Sequence, residues 1–240
     1  MKKENILFGV IGLLAGLMIG FMFANSINKN GAVAAAPTEM KANSNLPPGH
    51  PAVGGTSDTG GTTTPGAMTP EIQAAIDKAK QSPTDFDAQI AAAEGYYKIE
   101  RFEEAIGFLK TANKLKPDDR ELIVHLGNAN FDAEHYEEAE KWYTAALAKK
   151  ADDVNVLTDL GLTFVFRSPP NYDRAIQEFN RSLEIDPNHI QSLQNITVSY
   201  TKKGDAAKAN AALAKLESVE PTNKSLGKLR EDINNIGTKQ

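Results

Sequence analysis

Four histidines and a cluster of acids are the residues of this sequence best equipped for proton transfer or metal ligation. An imidazole can move a proton near neutral pH or donate a ring nitrogen to zinc, and a carboxylate can serve either purpose through oxygen. The histidines are His50, His125, His135 and His189. They are scattered, and no pair has a ligand spacing with a third ligand, as a helical zinc site requires. His50 lies in a Gly/Pro-rich stretch, His125 on a periodic helical face and His135 in a turn, so packing or solvent accounts for them. Glu134, Glu137, Glu138 and Glu140 read as a solvated helix face. The sequence has no Cys, which removes disulfides, thiolate metal sites and a cysteine nucleophile. A phosphate-binding glycine loop and a G-x-S-x-G elbow are also missing. No catalytic residue, metal site or cofactor is expected, and the chain is not expected to be an enzyme.

Charge narrows the partners. Residues 1–30 carry three lysines and one glutamate, and residues 31–69 one lysine and two acids, so residues 70–240 hold a net −6 of the total −5. Phosphate repulsion then argues against nucleic acid.

The elements that would position any functional side chain are periodic. Pro83 and Pro117 are 34 residues apart, as are Pro187 and Pro221. Ala151 stands where a proline between them would fall, and two extra residues lie in the turn Arg167-Ser168-Pro169-Pro170-Asn171. Four units result: 86–119, 120–153, 154–189 and 190–223. The eighth residue of each is small: Ala93, Gly127, Gly161 and Thr197. Twelve residues later, allowing for the insertion, comes Ala105, Ala139, Ala175 and Ala209. Small side chains at both places would let two helices of a hairpin cross closely. Leu109, Tyr143, Phe179 and Leu213 follow on the expected buried face.

This pattern resembles the tetratricopeptide repeat (TPR), a helix–turn–helix of 34 residues. It is legible in LGNANFDAEHYEEAEKWYTAALAKKA (126–151) and in LGLTFVFRSPPNYDRAIQEFNRSLEIDP (160–187). The early tryptophan of the family is Gln89, Ile123, Leu157 and Leu193 here, and Leu216 replaces a usual alanine. The resemblance implies an all-α right-handed superhelical solenoid of antiparallel helix pairs. A half repeat over 70–83 would precede the units, and a capping helix over 224–236 would close the domain at 70–240.

The resemblance also implies a concave groove lined by the first helix of each pair, suited to a protein or peptide partner. Carried over by position, its lining is Ile90, Glu94 and Tyr97, then Val124, Asn128 and Phe131. Asn155, Thr158, Leu162 and Val165 follow, then Gln191, Gln194 and Val198. For Val124 and Leu162 core and groove are equally good readings. The cationic clamp that some members use for a partner's C-terminal carboxylate is absent, because Ile90, Glu94, Asn155 and Asp159 occupy its places.

Ahead of the repeats, Ile6 to Ala24 is an uncharged run of 19 residues, about 29 Å as a helix, enough to span a bilayer. Lys2 and Lys3 before it place the N-terminus in the cytoplasm and the repeats across an inner membrane, in a periplasmic or other extracytoplasmic space. The alternative is a cleaved signal peptide, which the length of the run disfavours. Gly12, Gly16 and Gly20 could bring two such helices into a homodimer, although glycine is common in membrane helices anyway. Residues 31–69, rich in Gly, Pro, Thr and Ser, are expected to be a disordered linker. The sequence thus anticipates a membrane-tethered scaffold that assists assembly of a membrane or extracytoplasmic complex, similar to the TPR parts of cytochrome c maturation factors. A self-associating envelope scaffold is the second reading.

Overall fold

A computed structural model describes residues 67–236. The expected membrane helix, its glycine stripe at Gly12, Gly16 and Gly20, and the linker up to residue 66 lie outside the described residues. Among the described residues, no helix is long and apolar enough to cross a membrane.

Ten helices and no strand make up the described chain. Helix α1 spans Pro70–Gln81. Four pairs follow, each of an A helix and a B helix. These are α2 (Phe86–Lys98) with α3 (Phe102–Leu115), α4 (Arg120–Asp132) with α5 (Tyr136–Lys149), α6 (Val154–Phe166) with α7 (Tyr172–Ile185), and α8 (Ile190–Lys202) with α9 (Ala206–Val219). Helix α10 (Leu226–Asn234) closes the row.

Local chemistry sets the starts of most of these helices. Thr69 accepts from the Ile72 amide at 3.3 Å, with Pro70 in the first turn. Asp85 caps α2 at 3.0 Å, Asp119 caps α4 at 3.1 Å, and Asp153 caps α6 at 3.1 and 3.2 Å. Each supplies a carboxylate to backbone N–H groups that have no helical acceptor. His189 opens α8 without a side-chain cap. The turns inside the first, second and fourth pairs each need a left-handed residue: Glu100 (φ 59°), Glu134 (φ 61°) and Gly204 (φ 77°). The third pair uses its longer turn instead.

Packing follows side-chain size. Ala93, Ala105, Ala139, Ala175, Thr197 and Ala209 are buried, as are Gly127 and Gly161. The atoms nearest to where a Cβ at Gly127 would stand belong to the Tyr143 ring, and at Gly161 to the Phe179 ring. Each bare glycine therefore receives an aromatic ring of the B helix, four residues after Ala139 or Ala175. Where the family places tryptophan, buried Gln89 donates to the carbonyls of Ala79 (2.8 Å) and Ser82 (3.3 Å), satisfying the end of α1. At the far end, Leu226, Leu229 and Ile233 of α10 cover Leu213 and Leu216.

Each helix packs on the next, and A helices also touch along the row, α4 with α6 and α6 with α8. No two B helices meet comparably. This unequal spacing bends the row toward the A side and makes that side concave.

Candidate functional face on the A helices

A cluster of rings and polar groups lies near the C-terminal ends of the first three A helices. Tyr97 ends α2 and meets Phe102 edge-on at 5.2 Å. Its hydroxyl donates to Asp132, at the end of α4. Beside Asp132, Phe131 packs edge-on against Tyr136 (5.4 Å) and against Phe166 at the end of α6 (5.7 Å). Tyr136 stacks on Phe166 at 6.1 Å. One turn earlier in α4, Asn128 accepts from the Tyr143 hydroxyl at 2.9 Å, so a buried B-helix ring reaches through to the A side.

Two carboxyls lie on the same A helices, Asp132 on α4 and Asp159 on α6. Asp132 and Asp159 are each half-buried, and neither has an ion-pair partner among the described residues. Burial pushes the Asp132 carboxyl up to about 7. Burial likewise pushes Asp159 up to about 7, with the nearby charges of Asp132 and Asp153 adding to it. Burial, then the same two acids Asp159 and Asp132, raises the Tyr143 phenol well above its ordinary range. Burial, then Glu134 and Asp132, raises Tyr136 to about 12. Asp153 is engaged elsewhere, with Arg120 at 2.5 Å.

The anticipated groove residues divide into two groups. Ile90, Glu94, Tyr97, Val124, Asn128, Phe131, Val165, Gln191 and Val198 are half-buried, and Asn155 is exposed. Thr158 (3% exposed) and Gln194 (6%) are buried, which corrects their placement as open lining, and Leu162 (7%) follows the core reading of its two. Thr158 lies 2.6 Å from the Ser192 hydroxyl of the next A helix. Gln194 donates to Asn223 at 3.1 Å and to Ser225 at 2.9 Å, beneath the segment entering α10. The succeeding unit covers these positions, and helical periodicity alone does not reveal that cover. Asn155 also contributes inward, with Oδ1 3.1 Å from His189 Nε2.

The residues that sequence reasoning missed are Asp132, Tyr136 and Phe166, and Asp159 as more than a departure from a cationic clamp. The available signal was an acid following an aromatic at the end of an A helix, Phe131-Asp132. Among the described residues, no group of three His, Cys, Asp or Glu could hold a metal ion.

The repeat register, the paired helices and the continuous A-side face define a tandem helical-hairpin array, a class that offers surface for protein–protein contact. Tetratricopeptide-repeat models match residues 100–160 and 171–189, and in these segments the chain carries tetratricopeptide repeats. It is similar to the crystal structure of MamA, with a TM-score of 0.57 and 25% identity over 62% of this chain and 86% of that one. It also resembles YrrB, described as a TPR protein with an unusual peptide-binding site, with a TM-score of 0.58 and 19% identity over 67% of this chain and 81% of that one. The photosystem I assembly protein Ycf3 of Acaryochloris marina (strain MBIC 11017) is 33% identical over 86 residues, or 35% of this chain. The chain spans about half the length of that curated relative, 51%.

Proposed function

We propose that this protein is a membrane-tethered scaffold that holds a segment of another protein on its concave A-helix face and so assists assembly of a membrane or extracytoplasmic complex. The observation that carries the reading is the face itself, where half-buried Tyr97, Phe131 and Val165 lie on three successive A helices. Apolar anchors of that kind favour an extended or helical segment with matching side chains. The uncharged run Ile6 to Ala24 and the lysines before it support a tether with the repeats outside the cytoplasm. The likeness to a photosystem I assembly protein supports a role in building membrane complexes. The sequence resemblance to cytochrome c maturation factors offers one such complex.

The test is site-specific photo-crosslinking in cells, with the full chain. A crosslinker at Tyr97 or Phe131 should capture a partner protein, whereas one at exposed Lys141 on the opposite helices should not. Equal capture at the three sites, or none, sinks the groove reading. Because the sequence lacks Cys, a single cysteine introduced at Ser57 reports topology. Labelling by an impermeant thiol reagent from outside the inner membrane is expected, and protection of that cysteine in intact spheroplasts would overturn the tether orientation.

A further inference from the structure

Asp132 and Asp159 belong to the same run of A helices as the apolar anchors Tyr97, Phe131 and Val165. They belong to α4 and α6 and are close enough for Asp132 to act on Asp159. The hydroxyl of Tyr97 on α2 is the hydrogen-bond partner of Asp132, and Asp159 has none among the described residues. From α5, Tyr136 and Tyr143 face them as neutral phenols. Glu134 in the following turn acts on Tyr136, and Asp153 at the start of α6 acts on Asp159 but is paired with Arg120. No cation from α3, α7 or α8 is among the groups acting on either carboxyl. The ring cluster Phe131, Tyr136 and Phe166 adjoins Asp132, which follows Phe131 and acts on Tyr136, while Asp159 acts on the Tyr143 ring. Carboxylates without a counter-ion, beside aromatic rings, complement a guanidinium or ammonium on an otherwise apolar segment.

We propose that the face formed by α2, α4 and α6 receives a lysine or arginine side chain of a partner segment on Asp132 and Asp159, while the segment's apolar neighbours rest on Tyr97, Phe131 and Val165. This deepens the groove reading and rests on it. A partner cation lowers the proton affinity of both carboxyls, so binding releases protons. Docking therefore strengthens as pH rises through about 7. Ordinary surface acids, already ionised at pH 6, would show no such rise.

The probes are three fluorescein-labelled synthetic peptides of one length, alternating leucine with lysine, with glutamate or with glutamine. Binding to the full chain in detergent is followed by anisotropy. The lysine peptide should bind about tenfold tighter than the glutamine peptide at pH 8, and this preference should shrink by pH 6. Asp132→Asn with Asp159→Asn should remove the preference and its pH dependence, with helical circular dichroism unchanged. Tyr97→Ala should weaken the lysine and glutamine peptides alike. If the glutamine peptide binds as well as the lysine peptide and Tyr97→Ala weakens both, the groove stands and the cation proposal falls. If no peptide binds, or Tyr97→Ala changes nothing, both fall. If sedimentation shows self-association that the double asparagine variant abolishes, the occupant is a second copy and the proposal is overturned.

Discussion

Phe179 lays its ring on Gly161 so closely that a Cβ at residue 161 would stand 2.7 Å from Cδ1. Gly127 and Tyr143 repeat the arrangement one unit earlier, at 2.6 Å from Cδ1. Both rings are fully enclosed and have nowhere to move. Gly161→Ala and Gly127→Ala are expected to cost about 1–3 kcal/mol each through overpacking. Gly107, inside α3 with open space around it, is the control. Its change to alanine should gain about 0.5–1 kcal/mol from backbone entropy. Urea midpoints decide the matter, and equal shifts at 107 and 161 would refute the close-contact explanation.

The A/B turns offer a second comparison. Glu100 and Glu134 occupy left-handed backbone where Gly204 does so in the fourth pair. A side chain there costs about 1 kcal/mol. Glu134→Gly and Glu100→Gly should therefore stabilise the domain by that order, and Gly204→Ala should destabilise it. Thermal melts of the three variants would show opposite signs for the two directions of change.

The pH dependence of stability has a definite sign. The folded domain holds the Asp132 and Asp159 carboxyls at about 7, whereas in the unfolded chain they sit near about 4. Folding takes up protons between those values. The resulting stabilisation is complete below about pH 4 and is lost as pH rises through about 7. Asp159→Asn should gain about 1 kcal/mol at pH 8, allowing for partial exposure, and flatten the slope between pH 5 and pH 8. Surface acids with lowered values, such as Asp85 bonded by the Ala88 amide, work in the opposite sense and at lower pH. Urea midpoints for wild type and variant across this range would reverse the assignment if the variant's advantage grew toward acid.

Units three and four are joined by a buried polar chain. Ser192 lies 2.6 Å from Thr158, 2.8 Å from Ser182 and 2.9 Å from His189 Nδ1. Removing its hydroxyl takes a partner from three buried groups, and Ser192→Ala should cost about 1–3 kcal/mol. Amide hydrogen exchange should show the loss concentrated in α8, α9 and α10. Uniform loss over all ten helices would contradict a local junction.

Much of the architecture was legible because helix pairing depends on residue size at fixed intervals. The buried small positions, the large B-helix residues and the acidic caps Asp119 and Asp153 repeat in register with the chain. Glu100 and Glu134 were less legible, since a left-handed turn is advertised by glycine and only Gly204 supplies one. The burial of Thr158 and Gln194 was hidden for another reason. Periodicity says which way a side chain points, whereas Ser192 and the Asn223–Ser225 segment decide what lies over it. The burial of Asp132 and Asp159 was hidden likewise, because a carboxyl on a helix reads as solvated until neighbouring helices exclude the water.

Every substantial helix contact in the described chain runs to the next helix or to the next pair, and the A sides touch while the B sides stand apart. Such a row behaves like a leaf spring. A small tilt at each junction adds to the next, so the opening can widen or narrow without any single contact breaking. The strain is shared among the junctions, and no single one of them carries the whole change.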